Sequence, residues 1–190
     1  SYTTFDVETV SAGVVNSNCT SETNKLYAKV RVTNTGKFSG KEVVQVYIAK
    51  PQGKLGKPAK ELAAFEKTRE LQPGESQLMI LTWEINDMAS YDDLGKVKKS
   101  AYVLEAGSYD IYVGTSVRDV TKADYSYILN HDVITEQLSA KLVPTSLPKR
   151  MLADGSYEAL PQSEPVDTDY SAIGNIDPSL TEGVAPGQRA

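Results

Sequence analysis

Lys25-Leu26-Tyr27-Ala28-Lys29-Val30-Arg31-Val32-Thr33-Asn34 places Leu26, Ala28, Val30 and Val32 on one face of an extended chain and Tyr27, Lys29, Arg31 and Thr33 on the other. Side chains of a strand alternate between faces with period two, so the stretch predicts a strand with one apolar and one wet face. Asn34-Thr35-Gly36 then turns the chain, and residues 42–49 repeat the pattern with Val44, Val46 and Ile48 on one side. Working outward, the alternation predicts seven strands, at about 3–15, 25–34, 42–49, 61–70, 77–84, 107–115 and 125–134. Between them lie turn signals, among them Leu71-Gln72-Pro73-Gly74, whose Pro-Gly pair suits the centre of a type II turn. A polar start at Asn86-Asp87 predicts one short helical turn over 86–91. Seven short strands with no long helix between them predict an all-β, two-sheet antiparallel sandwich.

The chain is not uniform. Residues 133–190 hold six of the nine prolines, two of the 15 aromatics, and eight acidic against four basic residues. They therefore carry −4 of the net charge of −5. A segment so poor in large apolar groups does not offset the entropy of ordering unless another surface supplies the core. The division expected is a sandwich over 1–132 and a long irregular Pro-rich acidic connector or tail over 133–190. No motif recurs with a period of 20–50 residues, which excludes a solenoid or propeller.

Of the 190 residues 40% are hydrophobic, and the 13 glycines bring the apolar share into the usual globular range. Wholesale disorder is excluded on this ground. No run approaches the roughly 18 apolar residues of a membrane helix, and the start Ser1-Tyr2-Thr3-Thr4-Phe5 lacks the basic and apolar regions of a signal peptide. The negative net charge argues against a nucleic-acid module, and the lone Cys19 excludes an intrachain disulfide.

Reactive groups are scarce. His131, in Leu129-Asn130-His131-Asp132, reads as a surface or edge residue, and no second His or Cys lies near it in sequence to build a metal site. Asn18-Cys19-Thr20 fits the glycosylation acceptor pattern only formally. Tyr91-Asp92-Asp93 offers paired acids, but in a polar stretch that reads as an exposed turn. Gly36, Gly40, Gly53 and Gly56 lack the spacing of a nucleotide loop. Lys50, Lys54, Lys57 and Lys60 read as a solvated loop. Trp83 shares a face with Met79 and Leu81, and Tyr109 with Ile111 and Val113, so both are expected in the core. Tyr2, Tyr27, Tyr47 and Tyr112 fall on opposite faces and do not define a sugar-binding platform by sequence alone. The residues thus offer no catalytic, cofactor-binding or metal-ligating assignment, and no cofactor is expected.

A collinear set of motifs over about residues 1–120 resembles the fibronectin type III-like domain of family 3 glycoside hydrolases, the β-glucosidase family. The motifs are Ser1-Tyr2-Thr3-Thr4-Phe5, Val30-Arg31-Val32-Thr33-Asn34-Thr35-Gly36, Gly40-Lys41-Glu42-Val43-Val44-Gln45-Val46-Tyr47-Ile48, and Pro58-Ala59-Lys60-Glu61-Leu62-Ala63-Ala64-Phe65-Glu66-Lys67. Leu71-Gln72-Pro73-Gly74-Glu75-Ser76, Asp87-Met88-Ala89-Ser90-Tyr91-Asp92 and Ala106-Gly107-Ser108-Tyr109-Asp110-Ile111-Tyr112-Val113-Gly114-Thr115-Ser116-Val117-Arg118-Asp119 follow in order.

The resemblance implies a seven-stranded fibronectin III/immunoglobulin-like sandwich that is a non-catalytic structural domain of a larger β-glucosidase. In that family a TIM-barrel domain supplies the nucleophile and an α/β sandwich domain usually supplies the acid/base, so no catalytic residue carries over. These two domains are the expected partners, within one polypeptide, and carbohydrate is met only through the parent's active site. Neither nucleic acid nor membrane is an expected partner. The start of the chain matches the point where the family leaves its sandwich domain. The extension through Leu142-Val143-Pro144 and Leu152-Ala153-Asp154-Gly155 resembles the connector of members in which the barrel comes last. A carbohydrate-binding module and a cell-surface adhesion module are the alternatives, because the fold hosts many functions. The loop over 50–60 is a weaker candidate for the rim of the parent's active site. The single cysteine is compatible with the cytoplasm, the expected compartment. Secretion is the alternative, because the parent's N-terminus lies outside the chain.

Overall fold

The alternation of the quoted stretch is realised residue by residue. Strand β2 (Lys25–Asn34) lies between β1 (Phe5–Val14) and β5 (Ser76–Glu84) in an antiparallel sheet, and it buries Leu26, Ala28, Val30 and Val32 completely. This computed structural model describes residues 2–15, 24–139 and 148–159. The facing sheet has four strands in the order β4 (Glu61–Lys67), β3 (Val43–Ala49), β8 (Gly107–Ser116) and β9 (Asp119–Leu129). Between the two sheets Val44, Val46, Ile48, Ile111 and Val113 meet the apolar face of β2 together with Met79, Leu81 and Trp83 of β5. Each large aliphatic side chain removed from water here contributes about 1.5–3 kcal/mol, which makes this layer the main source of stability.

Turns close the sandwich with specific chemistry. Gly74 has φ of 79°, and the Glu75 amide donates to the Gln72 carbonyl at 2.9 Å, as the Pro-Gly pair predicts. Asn34 is fully buried and ties three segments together. Its amide nitrogen donates to the carbonyls of Phe38 and Leu71, both at 2.8 Å, while its oxygen accepts from Thr3 Oγ1 at 2.9 Å and the Gly36 amide at 3.0 Å. The short helical turn is present as a 3-10 turn over Asn86–Met88, started by Ile85 without a side-chain cap.

The strand list differs from the seven expected. A small third sheet joins β6 (Ser90–Asp92), β7 (Ala101–Leu104) and β10 (Val133–Gln137) in the order β10-β7-β6. Four residues are too few for alternation to stand out between Lys- and Gly-rich flanks, although β7 buries Ala101, Val103 and Leu104. The expected strand at 125–134 is in fact the end of β9 and the start of β10, which belong to different sheets. Within 133–190, β10 and a short hairpin of β11 (Lys149–Met151) and β12 (Tyr157–Ala159) are regular. Cys19, its glycosylation-like tripeptide and residues 160–190 lie outside the described residues.

Candidate functional site

The loop over 50–60 departs furthest from its sequence reading. Lys57 and Glu105 are 2% and 3% exposed at their side chains and form an ion pair. Lys57 Nζ also donates to the Pro51 carbonyl at 2.6 Å, and the Glu105 carboxylate accepts the backbone amides of Lys54 and Leu55 at 2.5 and 3.1 Å. A buried charge is tolerated only when paired and hydrogen-bonded, and the loop wraps Glu105 with donors to meet that condition. Leu55 is pinned into a small cluster with Ala101 and Val103. Lys50 is buried against Glu61 at 2.5 Å, so two of the four lysines expected in solvent are internal. Exposed Lys54 reaches Asp132 at 3.2 Å, and Lys60 lies 4.7 Å above the Tyr112 ring.

Asp92 is likewise not the exposed turn residue that the sequence predicts. It is fully buried, and one oxygen accepts the amides of Gly95 and Lys96 at 2.7 and 3.0 Å while the other accepts those of Val97 and Lys98 at 2.7 and 2.8 Å. Desolvation pushes its carboxyl up, but the four backbone donors outweigh that and hold it below the usual aspartate value. Asp92 is therefore a loop cap. Asp93 instead faces Arg150 at 3.5 Å.

Between loop residues 52–56 and the β11–β12 hairpin lies a cleft of about 360 Å³, lined in part by Gln52, Leu55, Lys96, Leu152 and Glu158. Its charges neutralise one another: Glu158 meets Arg150 and, at 3.3 Å, Lys96. The hydrogen bond from Arg150 holds the Glu158 carboxyl below its ordinary value. The carboxyls of Glu75, Asp110, Asp132 and Asp154 are also lowered. A general acid working near neutral pH needs the opposite displacement.

Trp83 and Tyr109 are in the core, at 5% and 1% exposure, as their strand faces predict. Tyr109 burial raises its phenol well above the usual value, and its hydroxyl donates to the Glu105 carbonyl at 2.9 Å. Tyr47 and Tyr112, by contrast, are half-buried and sit directly opposite each other on the outer face of the four-stranded sheet. Tyr47 is also opposite Leu62 of β4. Sequence alone separates these residues by up to 65 positions, and only the strand register brings them into one row. Tyr91 and Tyr102 pack at 5.4 Å on the small sheet, Tyr2 is exposed and Tyr27 is half-buried. His131 is exposed after β9, and among the described residues no three His, Cys, Asp or Glu side chains converge as a metal site.

Two antiparallel sheets enclosing one apolar layer, with caps and ion pairs at the loops, define a β-sandwich module. Residues 42–117 match the family model of the fibronectin type III-like domain. Beta-glucosidase A of Butyrivibrio fibrisolvens is 57% identical over 181 residues, covering 91% of this chain and 22% of that protein. The crystal structure of a β-glucosidase from Paenibacillus barengoltzii superposes with a TM-score of 0.71 at 42% identity, over 86% of this chain and 19% of that one. A GH3 β-glucosidase of Bifidobacterium adolescentis gives a TM-score of 0.52 at 28% identity, over 65% of this chain and 17% of that one. The chain carries the fibronectin type III-like domain found in glycoside hydrolase family 3 β-glucosidases. It spans about a fifth of the length of the relatives it matches.

Proposed function

We propose that this chain is a non-catalytic structural domain of a β-glucosidase, packing against and orienting a TIM-barrel domain and an α/β sandwich domain of the same polypeptide. The observation that carries the reading is the match to about a fifth of each β-glucosidase it resembles. The site chemistry agrees, since the buried carboxylates of Asp92 and Glu105 are occupied by backbone amides and a lysine, and the carboxyls of Asp92, Asp132 and Glu158 are held below their ordinary values. Similarity to the Butyrivibrio protein over 181 residues runs well past the sandwich, which supports residues 133–190 as a connector inside such an enzyme, between the two catalytic domains. The parent is then a retaining, cytoplasmic hydrolase of terminal β-linked glucose. A purified preparation of the chain should leave an aryl β-glucoside intact, and measurable turnover by it would overturn the reading.

Carbohydrate binding is the second reading, favoured by the row of Tyr47 and Tyr112 on an open sheet face. Against it, Lys60 occupies one face of the Tyr112 ring. Affinity electrophoresis on soluble β-glucans separates the two. Structural packing predicts unretarded migration, whereas retardation abolished by Tyr112→Ala would favour binding.

A further inference from the structure

Strand β4 is built inside out. Its two inward residues are Ala63 and Ala64, while Leu62 and Phe65 point to solvent at 51% and 68% exposure. The cause is a bulge: Val46 pairs with Ala64 but Tyr47 with Leu62, so Ala63 is extra and Leu62 and Phe65 share the outer face. β4 is also an edge of its sheet. Exposed edges are normally blunted by charge or proline; here the charges Glu61, Glu66 and Lys67 sit at the ends of the strand, and residues 62–65 between them carry none. Another outward apolar pair, Leu78 and Ile80 of β5, is different, because it lies directly opposite Arg31 and Lys29 and is broken up by charge.

A second observation falls beside the first. Trp83 is 5% exposed and its indole nitrogen has no hydrogen-bond partner. The same residue lines a cleft of about 60 Å³ shared with Glu61 and Leu62 of β4 and with Asp87 and Met88 of the 3-10 turn. The cleft is small, with room for a few water-sized groups.

We infer that the outer edge of β4, with Leu62, Phe65 and the cleft beside Trp83, is the surface on which an adjoining domain of the same polypeptide docks. The inference rests on the structural-domain reading above and adds the face and the chemistry. The occupant brings an apolar patch over Leu62 and Phe65. A partner in the same chain is favoured because about four-fifths of each matched β-glucosidase lies outside the matched region. Linkage raises its effective concentration enough for a modest patch to stay covered.

Hydroxyl-radical footprinting of the full-length polypeptide tests this, with each side chain normalised to its rate in the unfolded protein. Leu62 and Phe65 should label several-fold more slowly than Leu78 and Ile80, at every protein concentration. Equal labelling of the two pairs would overturn the proposal, and so would protection of Leu62 and Phe65 that vanishes on dilution, which would assign the face to a second copy. Protection of Leu78 and Ile80 instead would refute the face while leaving the structural-domain reading intact. A module with every exposed apolar residue fully labelled would refute both.

Discussion

Lys57 and Glu105 fix the longest loop of the sandwich by bringing opposite charges into a nearly dry site. Removing one partner leaves the other charged, buried and only partly solvated by the protein. Lys57→Met should therefore destabilise the fold by about 3–5 kcal/mol in urea unfolding. Adding Glu105→Gln to that variant removes the stranded charge and keeps an acceptor for one of the Lys54 and Leu55 amides, so part of the loss should return. Equal midpoints for the single and double variants would show that the pair is not energetically coupled. Asp92 works by the same economy with backbone donors in place of a lysine, and Asp92→Asn should cost roughly 1.5–3 kcal/mol by turning an acceptor into a donor. Because folding lowers its carboxyl value, its contribution is complete above the unfolded aspartate value near 4 and disappears as pH falls through the folded value. Stability of the wild type should fall more steeply than that of Asp92→Asn below about pH 4. Parallel curves would remove Asp92 from the account of acid unfolding.

At the scale of elements, the central strands were legible because burial on one face writes period two directly into β2, β3 and β5. The bounds of β2 are those that its alternation marks. β7 and β10 were not legible, since their partners are set by a chain path that local sequence does not encode. Asp92 and Lys57 were hidden for a related reason: a polar residue in a polar stretch looks solvated until its partners, four backbone amides for Asp92 and the Glu105 carboxylate with the Pro51 carbonyl for Lys57, are seen to converge on it. The row of Tyr47, Tyr112 and Leu62 needed both the β3–β8 register and the β4 bulge. Tight approach between β8 and β9 provides a test at this scale. A Cβ on Gly114 would stand 1.9 Å from the Asp119 carbonyl oxygen, and the clash is with backbone rather than a movable side chain. By contrast, Gly74 has open space around its Cβ position and only its positive φ opposes substitution. Gly74→Ala should cost roughly 1–2 kcal/mol, and Gly114→Ala more, because the β8–β9 pairing must shift. A smaller loss for Gly114→Ala would mean that this pairing is looser than described.

For the whole molecule, an apolar core wrapped in largely satisfied polar groups supplies rigidity and surface, as the proposed structural role requires. In the proposed role such a body acts on chemistry by holding other domains in place. On that reading its stability should limit the lifetime of the parent's activity. Heat inactivation of the full-length polypeptide, followed with an aryl β-glucoside, tests this claim most directly when wild type is compared with Leu26→Ala. The substitution empties a fully buried site in β2 and should cost about 2–5 kcal/mol. At roughly 2–4 °C per kcal/mol for a domain of this size, the account predicts a fall in half-inactivation temperature of about 4–20 °C with unchanged KM. Activity that persists in the variant at temperatures where this module has already unfolded would contradict it.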